Sequence, residues 1–155
     1  MKTSLTEPEI AYFYNLLFDF EHVKPIGYTD CKVEKEIGEK IILDNKHDKD
    51  ENITNPILNR IQFAPYYWNK CSGILGHLRN AFAHGNITSV DNDKNYLIKD
   101  FSDKSKRHKC NMLAYVDKNR FHNLINVMLK TRDIDKAKKK AKARKSQKRK
   151  QRIKK

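Results

Sequence analysis

The stretch Tyr66-Tyr67-Trp68-Asn69-Lys70-Cys71-Ser72-Gly73-Ile74-Leu75-Gly76-His77-Leu78-Arg79-Asn80-Ala81-Phe82-Ala83-His84-Gly85-Asn86 decides the reading of the fold. Cys71, Ile74, Leu75, Leu78, Ala81 and Phe82 recur at helical spacing. At about 3.6 residues per turn they fall within a band roughly a third of the circumference wide. The spacing predicts a helix from Tyr66 to His84, ended by Gly85 as the left-handed residue after the last turn. The other side carries Gly73, Gly76, Asn80 and Ala83. A glycine inside a helix costs roughly 1 kcal/mol against Ala, and small residues on one stripe let another helix approach closely. Arg79 and His84 flank that stripe.

On the N-terminal side, Thr6-Glu7-Pro8-Glu9 has the form of a helix start. Thr6 caps, Pro8 fits the first turn, and Glu9 reaches back from three residues on. Ile10, Phe13, Tyr14, Leu17 and Phe18 follow as an apolar stripe, and the pattern stops near Lys24-Pro25. Val33, Ile37, Ile41 and Ile42 keep a weaker helical spacing. The polar run from Asn45 to Glu51 reads as a loop. Pro56, Leu58, Ile61, Gln62 and Phe63 predict a short helix before Ala64-Pro65. On the C-terminal side, Tyr96-Leu97-Ile98 and Met112-Leu113-Ala114-Tyr115-Val116 read as two strands of a hairpin with a long charged turn. Phe121, Leu124, Ile125, Met128 and Leu129 return to helical spacing.

The net charge is +14. Residues 136–155 hold 13 basic side chains and no acidic one, which leaves +1 for residues 1–135. The basicity therefore belongs to a tail, and the folded part is nearly neutral. The tail is low-complexity Lys, Arg, Ala and Gln without an apolar face, so it is expected to be disordered when free. Two segments are expected: a domain over 1–132 and a tail over 133–155. Cys31, Cys71 and Cys110 are too few and too scattered for a disulfide framework. The first residues lack the basic and apolar run of a signal peptide, and no apolar stretch nears the roughly 20 residues of a membrane span. A cytoplasmic protein without membrane association is expected.

Arg79, Asn80 and His84 are the candidate catalytic residues. Imidazole moves protons near neutral pH, and guanidinium steadies phosphate charge. His84 lies four residues after Asn80 and shares its face. Arg79 and His84 lie five apart, roughly 140° around the axis, so one helix does not aim them at one spot. Two copies packed across the small stripe would bring two Arg and two His into one cleft, as a two-fold axis repeats every residue. The structural alternative is that Arg79 and His84 cap the carbonyls ending their helix. His77 reads as a surface residue. Tyr66, Tyr67 and Trp68 read as core aromatics rather than base-stacking ones. His108-Lys109-Cys110 lacks a second pair to complete a metal site, and no metal or other cofactor is expected.

Leu78-Arg79-Asn80-Ala81-Phe82-Ala83-His84-Gly85-Asn86 resembles the hallmark of the HEPN superfamily. That hallmark is an Arg, four to six residues and a His, often with a polar residue after the Arg, at a helix end. The wording is similar to small bacterial HEPN proteins of defence and toxin–antitoxin systems. The resemblance implies a mainly α, HEPN-like helical bundle, here with a β-hairpin insertion and the basic tail. It also implies a metal-independent endoribonuclease acting as a homodimer, in which a 2′-hydroxyl attacks the neighbouring phosphorus. His84 would serve as general base or acid, Arg79 would stabilise phosphate charge, and Asn80 would orient one or the other. The implied partners are RNA and an antitoxin or other defence protein. Where a subgroup carries a modified Tyr two residues after the His, this chain has Asn86.

Two other functions fit. One is a non-catalytic RNA- or ribosome-binding module, the other a HEPN scaffold for a nucleotide or protein partner. Whether or not the chain cuts RNA, Lys138, Lys139, Lys140, Arg144, Lys145, Lys148, Arg149 and Lys150 are the expected RNA contacts, binding by counterion release.

Overall fold

A computed structural model describes residues 4–22, 41–48, 51–65, 70–101, 109–128 and 142–146. Helix α1 spans Glu7–His22. Strands β1 (Ile42–Asp44) and β2 (Arg60–Phe63) precede helix α2 (Lys70–Ala83). Strands β3 (Ile87–Val90), β4 (Asn95–Phe101) and β5 (Cys110–Asp117) follow. A third helix, α3, is described over residues 118–128. The strands form one sheet in the order β1-β2-β5-β4-β3. β1 and β2 run parallel and the other pairs antiparallel.

This sheet overturns the expectation of a mainly α bundle with a hairpin insertion. The hairpin exists as β4 and β5, with Ile98 opposite Ala114, but it is the centre of a mixed five-stranded sheet. The short helix expected over residues 56–63 is instead the approach to β2 and β2 itself. Asn59 lies at a φ of 58°, which no right-handed helix admits. Its Oδ1 accepts the Asp117 N–H at 3.0 Å and its own N–H donates to Tyr115 O. Beyond it, Ile61 and Phe63 point the same way and are both buried. Asp91, Asn92 and Asp93 all take positive φ in the turn that joins β3 to β4, a conformation that Asn and Asp tolerate best among non-glycine residues.

One face of the sheet carries the core. Ile61, Phe63, Tyr96, Ile98, Met112, Ala114 and Val116 join Phe13, Leu16 and Leu17 of α1 and Ile74, Leu75, Leu78 and Ala81 of α2. Phe121, Leu124, Ile125 and Met128 of α3 complete the same cluster, as their helical spacing predicts. Alternate strand residues point the other way. Leu113 and Leu97 pack there with Ile53, Cys110 and Phe101. The Cys110 thiol is free and buried, and its Sγ donates to Met112 O at 3.0 Å.

The start of α1 is the expected capping box: Thr6 N donates to Glu9 Oε1 at 3.0 Å, and Glu9 N donates to Thr6 Oγ1 at 3.4 Å. The stripe along α1, however, divides. Phe13 and Leu17 are buried, whereas Ile10, Tyr14 and Phe18 are 46%, 60% and 54% exposed. Val33 and Ile37, the aromatics Tyr66, Tyr67 and Trp68, His108 and Leu129 fall outside the described residues. In the tail, residues 142–146 are helical and exposed, where the composition predicts disorder. Among the described residues no helix is long and apolar enough to cross a membrane.

Glu9 also ties α1 to α3 and β4. Lys118 Nζ lies 2.7 Å from Glu9 Oε2 and 4.9 Å from the centre of the Tyr96 ring. Tyr96 Oη and His122 Nε2 meet at 2.9 Å. Burial alone raises the Glu9 carboxyl. The Lys118 ammonium, the Thr6 N–H and the Tyr96 and Thr6 hydroxyls outweigh it and bring the carboxyl to about 2, from an ordinary 4.5. Burial likewise pushes the His122 imidazole below its ordinary value. Both groups bind protons more readily in the unfolded chain, so both favour folding at higher pH. The His122 contribution is present above pH 6.5 and fades as pH falls below that value. The Glu9 contribution is present above pH 4.5 and is lost between pH 4.5 and about 2. Urea unfolding of Glu9→Gln should therefore show a shallower loss of stability than wild type across that acid window.

Candidate functional site

Helix α2 positions the site, and its end is built by the backbone. Asn86 N donates to Ala81 O at 2.7 Å, and Gly85 N donates to Phe82 O at 3.1 Å. These are the two bonds of a Schellman motif, with Gly85 at a φ of 70°. The sequence places this glycine correctly. His84 N still donates to Asn80 O at 3.1 Å, so His84 is the half-helical residue at the end, and its side chain is exposed. The chain then enters β3 at Ile87.

Arg79 is exposed and Asn80 half-buried. Arg79 lines a groove of about 280 Å³ between the helices, with Tyr14, Leu17, Phe18, Phe82 and Ala83. Arg79 Nη1 lies 3.5 Å from Asn80 Oδ1, and Asn80 Nδ2 lies 3.4 Å from Asp100 Oδ2. The three motif residues thus share the last turns of one helix. Arg79 turns toward α1, and Asn80 turns toward the sheet.

The small stripe is only partly available. Gly73 and Gly76 are buried within the chain, Asn80 is half-buried, and Ala83 alone of the four is exposed. A partner helix therefore has no access to the stripe along its whole length. The exposed surface beside the motif is formed by Arg79, Ala83 and His84 with Tyr14 and Phe18 of α1.

His77 is the residue that the sequence reading misplaced. It is 2% exposed. Its Nδ1 lies 2.6 Å from Asp100 Oδ2, and its Nε2 lies 2.8 Å from Ala64 O. Phe63 packs edge-on against its ring at 6.2 Å. Asp100, 3% exposed, begins the charged stretch that the sequence reads as the hairpin turn, and instead belongs to β4. A signal for both existed. His77 falls three residues after Ile74 and four before Ala81, about 40° beyond the edge of the apolar arc, and Asp100 continues the inward alternation of Tyr96 and Ile98.

Of the expected RNA contacts, Arg144 and Lys145 are described, both exposed in the helical stretch 142–146. Lys138, Lys139, Lys140, Lys148, Arg149 and Lys150 lie outside the described residues. Among the described residues no group of three or more His, Cys, Asp or Glu side chains is arranged to hold a metal ion.

The HEPN pEK499 p136 family matches residues 10–143. That span covers α1 from Ile10 on, the whole sheet, the Arg79–His84 stretch and α3. The chain belongs to the HEPN superfamily. No curated protein and no solved structure matches it. The Arg79–His84 stretch sits on a helix backed by a sheet, and the match continues past residue 132 into the basic segment.

Gly85 gives the site a local test. A Cβ built there meets nothing within 4 Å, so Gly85→Ala costs backbone conformation alone. The variant should lose about 1 kcal/mol or slightly more, measured by urea unfolding, and Gly85→Asn should lose less.

Proposed function

We propose that this HEPN chain is a metal-independent endoribonuclease of a bacterial defence or toxin–antitoxin system, working at a site shared by two copies. The observation that carries the reading is the motif itself in a HEPN chain: Arg79, Asn80 and His84 on the last turns of α2. The reaction forms a bond from the 2′-oxygen to phosphorus and breaks the bond from phosphorus to the 5′-oxygen. The 2′-hydroxyl proton passes to a base and the leaving oxygen takes one up, leaving a 2′,3′-cyclic phosphate. An imidazole can do either transfer, and His84 is the exposed imidazole beside the motif. Arg79 supplies the charge for the phosphate oxygens.

The dimer is supported by two observations. Arg79 and His84 diverge around one helix, so a second copy would supply the complementary pair. Ile10, Tyr14 and Phe18 leave an apolar strip exposed on α1, next to Arg79. A second copy seated on that strip would bury it and bring the two motifs together. RNA and an antitoxin or other defence protein are the partners in this reading, and the cytoplasm is where it operates.

A second reading is favoured by the exposed Arg144 and Lys145 and the charge of the segment around them. It is a module that binds RNA through the tail without cutting it. The two readings separate cleanly. Purified wild-type protein incubated with RNA in EDTA should yield fragments ending in 2′,3′-cyclic phosphate, and Arg79→Ala and His84→Ala should each abolish them. Cleavage that persists in His84→Ala would overturn the ribonuclease reading. Intact RNA whose binding depends on residues 136–155 would favour the module.

A further inference from the structure

The buried contacts of His77 and Asp100 run without interruption to the motif. Each can be assigned a donor and an acceptor. Ala64 O only accepts, so His77 Nε2, 2.8 Å away, carries a proton and donates it. Nδ1 is then the remaining ring nitrogen, 2.6 Å from Asp100 Oδ2. Asn80 Nδ2 also points at Oδ2, from 3.4 Å. An amide N–H donates and a carboxylate oxygen accepts, so Oδ2 is an acceptor twice over. With Nδ1 donating, Oδ2 accepts from both neighbours, and both side chains lie out of water. With its Nδ2 committed to Asp100, the Asn80 amide has only one orientation. Its Oδ1 faces outward, 3.5 Å from Arg79 Nη1, and accepts from it.

We propose that His77 and Asp100 are positioning residues whose buried pair sets the polarity of the Asn80 amide, which turns its carbonyl oxygen toward Arg79. The alternative orientation would put the Asn80 NH₂ against the guanidinium, donor against donor. Asp100 excludes that orientation because a carboxylate accepts from NH₂ and repels a carbonyl oxygen. The sheet thereby reaches the arginine through a chain of contacts: β4 holds Asp100, Asp100 holds Asn80, and Asn80 holds Arg79. The assignment of polarity stands on geometry alone. Its catalytic consequence rests on the ribonuclease reading above.

The logic can be reversed by two isosteric changes. In Asp100→Asn the new NH₂ donates to His77 Nδ1, which gives up its proton. It also meets the Asn80 NH₂, so the Asn80 amide inverts. In Asn80→Asp two carboxylates meet. In the double variant Asn80→Asp, Asp100→Asn the acceptor and donor are exchanged: the carboxylate at position 80 accepts from the amide at position 100 and from Arg79.

The test uses the full chain. Long-range proton–nitrogen spectra of the imidazole rings, with His77 assigned through His77→Gln, should show both His77 nitrogens protonated in wild type. Only Nε2 should be protonated in Asp100→Asn. In thermal unfolding each single variant should lose stability, and the double variant should regain most of it. At saturating RNA, Asp100→Asn should cleave about tenfold more slowly. A wild-type His77 with a bare Nδ1, or stability losses that add in the double variant, would overturn the polarity assignment. Wild-type turnover in Asp100→Asn would overturn the positioning role. If the wild-type chain cleaves no RNA, the ribonuclease reading falls, while the ring spectra and the unfolding cycle still decide the polarity of the pair.

Discussion

The two-sided buried contact of His77 joins the three parts on which the site depends. His77 comes from α2, Asp100 from β4, and Ala64 from the residue that follows β2. Without that contact, two strongly polar side chains would sit in the interior with nothing to satisfy them. Removing one partner of such a buried pair typically costs about 3–5 kcal/mol, because the other is left uncompensated. Replacing both with apolar groups is often neutral or better. The pair is therefore weak evidence of a gain in stability and stronger evidence of a geometric constraint. It allows α2 one rotation about its axis and one height along the sheet. Every position on the helix follows from that setting. Ile74, Leu78 and Ala81 face the sheet, Phe82 stacks on Phe13 at 6.1 Å, and Arg79 emerges toward α1.

α1 answers to a second constraint. It buries Phe13, Leu16 and Leu17 and is held at its start by Glu9, which bonds Thr6 within the helix and Lys118 across the fold. Those ties fix the rotation of α1 as the His77 pair fixes that of α2. Rotation determines which apolar residues are left out. Ile10, Tyr14 and Phe18 follow one another at intervals of four, on a line that neither the sheet nor α2 covers. An amphipathic helix with a broader apolar arc than its own core requires has material for a second contact. The strip lies beside the groove that Arg79 lines.

The sequence carries the local signals well and the distant ones poorly. The capping box at Thr6 and Glu9 and the glycine at 85 are decided within a few residues, and both stand as read. So do α3 and the pairing of β4 with β5, whose patterns are long and regular. β1, β2 and β3 are three or four residues each, too short to show a period. Their conformation comes from partners far along the chain, such as Ile61 opposite Ala114. That is why the spacing predicts a short helix where β2 stands and a bundle where a sheet stands. The divided stripe on α1 has the same cause, since spacing tells which residues share a face but not how wide the neighbouring surface is. Arg79, Asn80 and His84 are legible as a group because they lie within one turn and a half of helix. Asp100, 23 residues from His77, is not, because nothing local links a strand aspartate to a helix histidine.

The two constraints also separate the roles within the motif. Arg79 and Asn80 belong to a chain of polar contacts rooted in the sheet, so their geometry is inherited from the core. His84 is placed differently. It sits where the helix gives way to the Schellman turn, and the bonds from Gly85 and Asn86 hold its backbone while its side chain faces solvent. A proton-transferring group gains from that arrangement, because it needs access to its substrate and to water in turn. A charge that steadies a phosphate gains from the opposite one, because electrostatic stabilisation is largest when the charge is already oriented. On the proposed ribonuclease reading, the end of the motif tied to the core carries the phosphate charge and the open end carries the proton transfer.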